Sequence, residues 1–123
     1  MKKLTLSTIS FFLLLGLAIP SFVRGQTLPM DEKQKIEALI MQVGAAKDAR
    51  FVRNGSSYNA NTAATFLQLK WEANASEVKS VRDFIDKIGT MSGIGKPYLV
   101  RFKGGKEIKG RDFLLDELKK LDT

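Results

Sequence analysis

Apolar residues recur at intervals of three and four in several stretches of the chain, which is the spacing of one face of an α-helix. Ser56 or Ser57 is expected to cap the second of these helices. Ser80-Val-Arg-Asp83 resembles a capping box at the start of the third, with Asp in place of the usual Glu or Gln. The pattern therefore predicts four helices, at about residues 29–46, 58–73, 80–89 and 111–121.

Three shorter stretches have the composition of β-strands. Phe51–Arg53 precedes Asn54-Gly55, a dipeptide that favours the positive backbone dihedral angles of a tight turn. Tyr98–Phe102 alternates between two faces, as a strand in a sheet does. Gly104-Gly105 then predicts a two-residue hairpin turn, from which the chain returns as a strand at Lys106–Lys109.

The order of these elements is helix, strand, helix, helix, hairpin, helix. It predicts one α+β domain over residues 26–123, with a small three-stranded, mostly antiparallel sheet packed against about four helices. An isolated hairpin is marginally stable in water. We therefore expect the strand at Phe51 to pair beside the strand at Tyr98.

Residues 1–25 have the order of charged, apolar and small residues that is typical of a secretory signal peptide. Lys2 and Lys3 precede an uncharged run, residues 4–23, and cleavage is expected after Gly25. The alternative is an uncleaved membrane anchor, because the run is just long enough to span a bilayer. Pro20 and the short apolar core favour cleavage. The predicted location is periplasmic or secreted, with membrane contact only if this segment remains.

Charge and composition exclude several functions. Loss of residues 1–25 removes Lys2, Lys3 and Arg24 and lowers the formal charge from +7 to +4, so a nucleic-acid partner is not predicted. The chain has no cysteine and no histidine, which excludes a disulfide, a thiol nucleophile, an imidazole base and the common zinc sites. We therefore assign no catalytic residue, metal or cofactor.

Four segments, FVRNGSSY, LQLKW, VRDFIDKI and SGIGKPYLVRF, occur in one order along nearly the whole chain after residue 25. This series resembles the YfeK-like family, small exported bacterial proteins with a domain of unknown function. The positions that match the family's pattern are Arg53, Asn54, Gly55, Tyr58, Lys70, Phe84, Ile85, Ser92, Gly95, Lys96, Pro97 and Tyr98. Phe66 stands where the resemblance implies a histidine. The resemblance implies the bacterial envelope as the setting, but no substrate.

Five polar residues are expected to converge if the strands at Phe51 and Tyr98 are neighbours. Arg53 ends one strand, Tyr58 and Lys70 lie on the next predicted helix, and Ser92 and Lys96 lie on the loop before the other strand. Such a group suits a carboxylate, a phosphate or a sugar. The alternative is structural: Arg53 caps carbonyl groups, Lys70 lies on a solvated helix face, and Tyr58 packs in the core.

Three functions follow, in decreasing order of support. The first is an envelope protein that binds a small anionic or polar ligand. The second is a protein-interaction or inhibitor module of the periplasm, which predicts an exposed apolar patch of several hundred Å². The third is a hydrolase, which would require the Ser92 hydroxyl and the Lys96 amine within hydrogen-bond reach. Binding is favoured over catalysis, because no strong base is present.

Overall fold

Four α-helices and four β-strands make up the part of the chain that the computed structural model describes, residues 30–121. The helices α1 to α4 are Met30–Ala45, Ala60–Ala73, Val81–Asp83 and Gly110–Leu121. The strands β1 to β4 are Arg50–Arg53, Ser56–Tyr58, Leu99–Arg101 and Glu107–Lys109. A 3₁₀ turn, Ala75–Glu77, follows α2, and a π-helical turn, Phe84–Ile88, continues α3. The predicted α+β class is confirmed, while the predicted signal peptide lies outside the described residues.

The sheet has the order β2-β1-β3-β4, and each neighbouring pair is antiparallel. Phe51 of β1 lies opposite Val100 of β3, so the predicted pairing of these two strands is confirmed. Phe51 also lies opposite Tyr58, and Val100 lies opposite Ile108. Because residues directly opposite one another share a face, these four side chains form one face of the sheet.

The first hairpin was not predicted, and the expectation of three strands is wrong. Asn54 and Gly55 have φ angles of 52° and 85°, which is the condition for a two-residue hairpin turn that continues the twist of its strands. The chain therefore returns as β2, and Tyr58 lies on a strand rather than a helix. Helix α2 begins later, at Ala60, where the Asn59 side chain accepts a hydrogen bond of 2.8 Å from the Thr62 N–H. Asn59, not Ser56 or Ser57, is its cap.

Aromatic contacts place α2 and α4 on the same face of the sheet. The ring of Phe113 on α4 meets Phe51 edge-on, at 5.8 Å between centroids. The ring of Phe66 on α2 meets Tyr58 in the same way, at 5.2 Å. Each such pair contributes roughly 0.5–1.5 kcal/mol beyond the apolar area that it buries. The core beneath this face is completed by apolar side chains of α1 and of the segment 81–88, namely Ile36, Leu39, Val43, Val81, Phe84, Ile85 and Ile88.

The start of α3 is tied to α1 by side-chain caps. The Ser80 hydroxyl accepts a hydrogen bond from the Asp83 N–H at 3.1 Å, and the Asp83 carboxylate accepts one from the Lys79 N–H at 2.9 Å. The predicted Ser80 cap is therefore confirmed, while the reciprocal hydrogen bond of Asp83 goes to the Lys79 N–H and not to the Ser80 N–H of a capping box. Glu32, in the first turn of α1, accepts a further hydrogen bond from the Val81 N–H at 2.8 Å. The first N–H groups of α3, which have no partner within the helix, are thus satisfied in part by Ser80 and in part by Glu32 of α1.

Within the described residues, the buried apolar side chains all lie between Ile36 and Leu118. Residues from Asp31 onward form one compact unit. A chain that begins at Gln26 therefore contains every residue of this core. Among the described helices, none has both the length and the apolar character that crossing a bilayer requires.

A close approach at Gly110 fixes where α4 begins. The Gly110 N–H donates a hydrogen bond of 2.7 Å to the carbonyl oxygen of Tyr98. A Cβ atom at position 110 would lie only 3.0 Å from the Tyr98 Cβ and 3.3 Å from the Tyr98 carbonyl oxygen. Contact with Tyr98, the residue just before β3, therefore restricts position 110 to a residue without a side chain.

We expect Gly110→Ala to lower the free energy of unfolding by about 1–3 kcal/mol, because the added methyl group displaces α4 from the sheet. Gly44→Ala is the matched control. A Cβ at position 44 would meet the Ala64 Cβ at an ordinary 3.5 Å, so this change should be neutral or stabilise α1 by up to about 1 kcal/mol. Urea unfolding of both variants measures the difference. Equal stability of the two would contradict the close approach at Gly110.

Candidate functional site

A cavity of about 60 Å³ lies between the sheet and the helices. Most of its lining is apolar and comes from several elements, among them Val43 of α1, Ala63 of α2 and Leu114 of α4. It is large enough for a few water molecules or one narrow apolar group. It is much smaller than the sites of several hundred Å³ that hold drug-sized ligands. Its size therefore restricts any occupant to a slender one.

Arg53 is the charged residue of the cavity lining. Its guanidinium carbon lies 5.0 Å from the centroid of the Phe66 ring, a cation–π contact that holds the half-buried side chain in place. Among the described residues, no carboxylate pairs with Arg53 and no acceptor receives a hydrogen bond from its guanidinium. The planar group is thus positioned, and its donors remain able to bind a carboxylate or phosphate through two hydrogen bonds.

Tyr58 and Tyr98 are the other two polar residues that line the cavity. The ring of Tyr58 packs against the Phe66 ring, which also makes the cation–π contact with Arg53. Within residues 30–121, no partner receives or provides a hydrogen bond at the Tyr58 hydroxyl. Arg53 and Tyr58 are therefore brought together around one aromatic ring.

Lys70 makes three hydrogen bonds within the protein. Its ammonium group donates to the carbonyl oxygen of Ile88 at 3.0 Å, to that of Met91 at 2.8 Å and to the Tyr98 hydroxyl at 3.0 Å. An ammonium group has three N–H donors, so all of them are used. Ile88 ends the π-helical turn, where carbonyl groups lack partners within the helix. Lys70 therefore positions Tyr98, one wall of the cavity.

Ser92 and Lys96 close the loop that precedes β3. The Ser92 N–H donates to the Lys96 carbonyl oxygen at 2.8 Å, and the Ser92 hydroxyl accepts from the Lys96 N–H at 3.3 Å. Ser92 is buried, whereas the Lys96 side chain is exposed. The contact between the two residues thus runs through the backbone of Lys96. It is not the contact between hydroxyl and amine that the hydrolase hypothesis requires.

The five predicted residues fall into two groups. Arg53 and Tyr58 line the cavity, whereas Lys70, Ser92 and Lys96 belong to the support and the surface of the adjoining loop. Tyr98 joins the groups, because its ring lines the cavity and its hydroxyl binds Lys70. That the five residues bind a ligand stays a prediction.

Phe66 and Tyr98 were not among the predicted site residues. Phe66 shares a helical stripe with Ala63 and Leu67, which is also what a core residue does. The signal in the sequence was the resemblance, which implies a histidine at position 66 and matches Tyr98. A position where the resemblance implies a polar ring is more informative about a site than the apolar spacing around it.

We expect Lys70→Met to lower the free energy of unfolding by about 1–3 kcal/mol, because the partly buried Ile88 carbonyl and Tyr98 hydroxyl and the Met91 carbonyl lose a charged donor. Lys33→Met, an exposed change on α1, is the control and should stay within about 0.5 kcal/mol of the parent protein. Chemical unfolding of both variants tests this. A Lys70→Met protein as stable as Lys33→Met would show that the three hydrogen bonds contribute nothing.

Comparisons with known proteins agree with the resemblance seen in the sequence. The family model described as "Family of unknown function (DUF5329)" matches residues 30–122. The uncharacterized protein YfeK of Salmonella typhimurium is 30% identical over 99 residues, which cover 80% of this chain and 77% of that protein. No solved structure gives a significant match. The chain therefore belongs to the family of unknown function DUF5329 and is similar to YfeK.

Proposed function

We propose that the protein binds a slender amphiphile with an anionic head group. A short stretch of the apolar tail enters the cavity, and the head group binds the guanidinium of Arg53. The observation that supports this most directly is an arginine without a carboxylate partner in the described chain, held at an apolar cavity by an aromatic ring.

The tail is inferred from the size and lining of the cavity. An apolar group that leaves water for this space gains about 25 cal/mol for each Å² that it buries. At about 60 Å³ the cavity takes a linear hydrocarbon chain end more readily than a fused ring. We therefore favour single-chain amphiphiles over sterol-like or multi-ring ligands.

The head group is inferred from Arg53 and its surroundings. A half-buried guanidinium without an ion pair favours a carboxylate or phosphate, because each oxygen can accept one of two parallel hydrogen bonds. Tyr58 offers a further hydroxyl donor beside the same Phe66 ring. A neutral head group would leave the charge unpaired, and a cationic one would be repelled.

We expect decanoate to bind more tightly than decanol and to raise the melting temperature, with a shift that grows as the logarithm of its concentration once that exceeds Kd. Decyltrimethylammonium should not bind, because it has the same tail but a cationic head. Arg53→Gln should weaken decanoate binding by about 10- to 100-fold, the range for a lost hydrogen bond to a charged group. Arg82→Gln removes an exposed arginine on α3, outside the cavity lining, and should leave binding unchanged.

A second variant tests the tail separately from the head. Ala63→Leu fills the cavity, so it should abolish binding of decanoate and of decanol alike; Ala63→Val is the smaller alternative if the leucine lowers the melting temperature. Titration calorimetry measures both ligands. Decanoate affinity that survives both Arg53→Gln and a stably folded Ala63 variant would exclude this site.

We also propose that the protein is exported to the periplasm or the medium. The order of charged, apolar and small residues over residues 1–25 supports this proposal. The ligand would then be an amphiphile of the bacterial envelope.

Expression of the full chain in a bacterial host should give a product whose intact mass corresponds to residues 26–123. This product should be found in the periplasmic fraction or in the medium. Leu14→Arg, placed in the middle of the apolar run, should keep the uncleaved chain inside the cell, because it interrupts the signal. A product that retains Met1 and sediments with membranes would favour the anchor instead.

A further inference from the structure

Large apolar side chains are exposed on two neighbouring elements beside the cavity. In the loop before β3, Ile94 is 71% exposed and Met91 is 46% exposed. On α2, Leu69 is 56% exposed and Phe66 is 37% exposed. In the described part of the chain, one other large apolar residue is exposed, Met41 on α1. We call the first four residues the docking rim.

Contacts connect the docking rim to the mouth of the cavity. The Lys70 ammonium, next to Leu69 in the chain, donates a hydrogen bond of 2.8 Å to the Met91 carbonyl oxygen and so holds the loop against α2. Phe66 lies one helical turn before Leu69 and Lys70, on the same side of α2. Its ring both lines the cavity and reaches the surface.

The two chain segments that contain the docking rim are rich in basic residues. Residues 49–71 and 87–106, which contain the rim, include no aspartate and no glutamate. They carry eight of the basic residues: Arg50, Arg53, Lys70, Lys87, Lys96, Arg101, Lys103 and Lys106. Lys96 is exposed in the same loop as Ile94. Glu72, three residues after Leu69 on α2, is an exposed carboxylate near the rim, but the cations of these segments outnumber it. An exposed apolar rim with an excess of cations is complementary to the surface of an anionic lipid bilayer.

We propose that the docking rim inserts into the interface of an anionic phospholipid bilayer and brings the mouth of the cavity to the membrane surface. Ile94, Met91 and Leu69 enter the region between head groups and acyl chains, and Lys96 stays among the phosphates. From the sequence, membrane contact was expected only through an uncleaved residue 1–25 segment. The docking rim would be a second way for the protein to contact a membrane. Its role depends on the proposed function, in which the bilayer would be the source of the amphiphile.

The test uses residues 26–123, which contain the whole core and lack the apolar leader. Flotation with phosphatidylcholine vesicles is compared with flotation at 30% phosphatidylglycerol. We expect binding to the anionic vesicles that falls as salt is raised. Ile94→Ser and Leu69→Ser should each reduce the partition coefficient at least about fivefold, and Lys96→Gln about fivefold.

Met41→Ser is the matched control, because Met41 is 73% exposed but lies on α1, outside the docking rim. It should leave the partition coefficient unchanged. Absence of binding to anionic vesicles, or an equal loss in Met41→Ser and Ile94→Ser, would overturn the proposal. A concentration-dependent dimer that Ile94→Ser abolishes would also overturn it, since a second copy would then cover the rim.

The two proposals can fail separately. Ile94→Ser should keep the affinity for decanoate in solution, and Ala63→Leu should keep binding to anionic vesicles. If decanoate does not bind but the vesicle results hold, the docking rim stands and the ligand assignment falls. If vesicles do not bind but decanoate does, the reverse follows.

Discussion

The antiparallel pairing of β1 with β3 is the constraint on which the rest of the structure depends. These strands come from separate hairpins, about fifty residues apart, and their pairing makes one sheet of the two. Val52 lies opposite Leu99, so the next step in the register brings Arg53 beside Tyr98, where the two halves of the site meet. Closing such a long segment costs conformational entropy. Burial of Phe51 and Val100 against the helices offsets it.

The same pairing makes the site sensitive to register. A shift of one residue would move Phe51 and Arg53 to the opposite face, because side chains alternate along a strand. The contacts of Phe51 with Phe113 and of Arg53 with Phe66 would then be lost together. Core packing and the position of the cavity cation are thus specified by one alignment, and neither can change without the other.

The loop before β3 is held by a departure from regular helix geometry. In the π-helical turn, the Gly89 N–H donates to the Phe84 carbonyl oxygen, five residues back, at 3.0 Å. The Ile85 carbonyl oxygen instead accepts a hydrogen bond of 2.6 Å from the Thr90 hydroxyl. The Ile88 carbonyl is left for Lys70. Such turns are frequent at functional sites, where they redirect backbone groups. Here the carbonyl group of Ile88 holds the Lys70 ammonium group, which in turn positions Tyr98 and so one wall of the cavity.

What the sequence could predict follows from the range of each interaction. Helix stripes and the Asn54-Gly55 turn are local patterns, and they were visible. Strand β2 was missed, because its three residues contain one aromatic and two serines and lack the composition of a strand. Lys70 was expected at a ligand or in solvent, since nothing local shows that its partners are carbonyls 18 and 21 residues away.

Phe66 is where local pattern and tertiary role differ most. One ring supports the Arg53 guanidinium, packs on Tyr58, lines the cavity and remains partly exposed. An imidazole, which the resemblance implies at this position, could hydrogen-bond to a head group but would compete with Arg53 for it when charged. The phenyl ring has no such group, so among the described lining residues Arg53 is the charged donor at the cavity. If the cavity holds the proposed amphiphile, selection of its head group should therefore rest on the guanidinium, while the Phe66 ring lies both in the cavity lining and at the exposed rim.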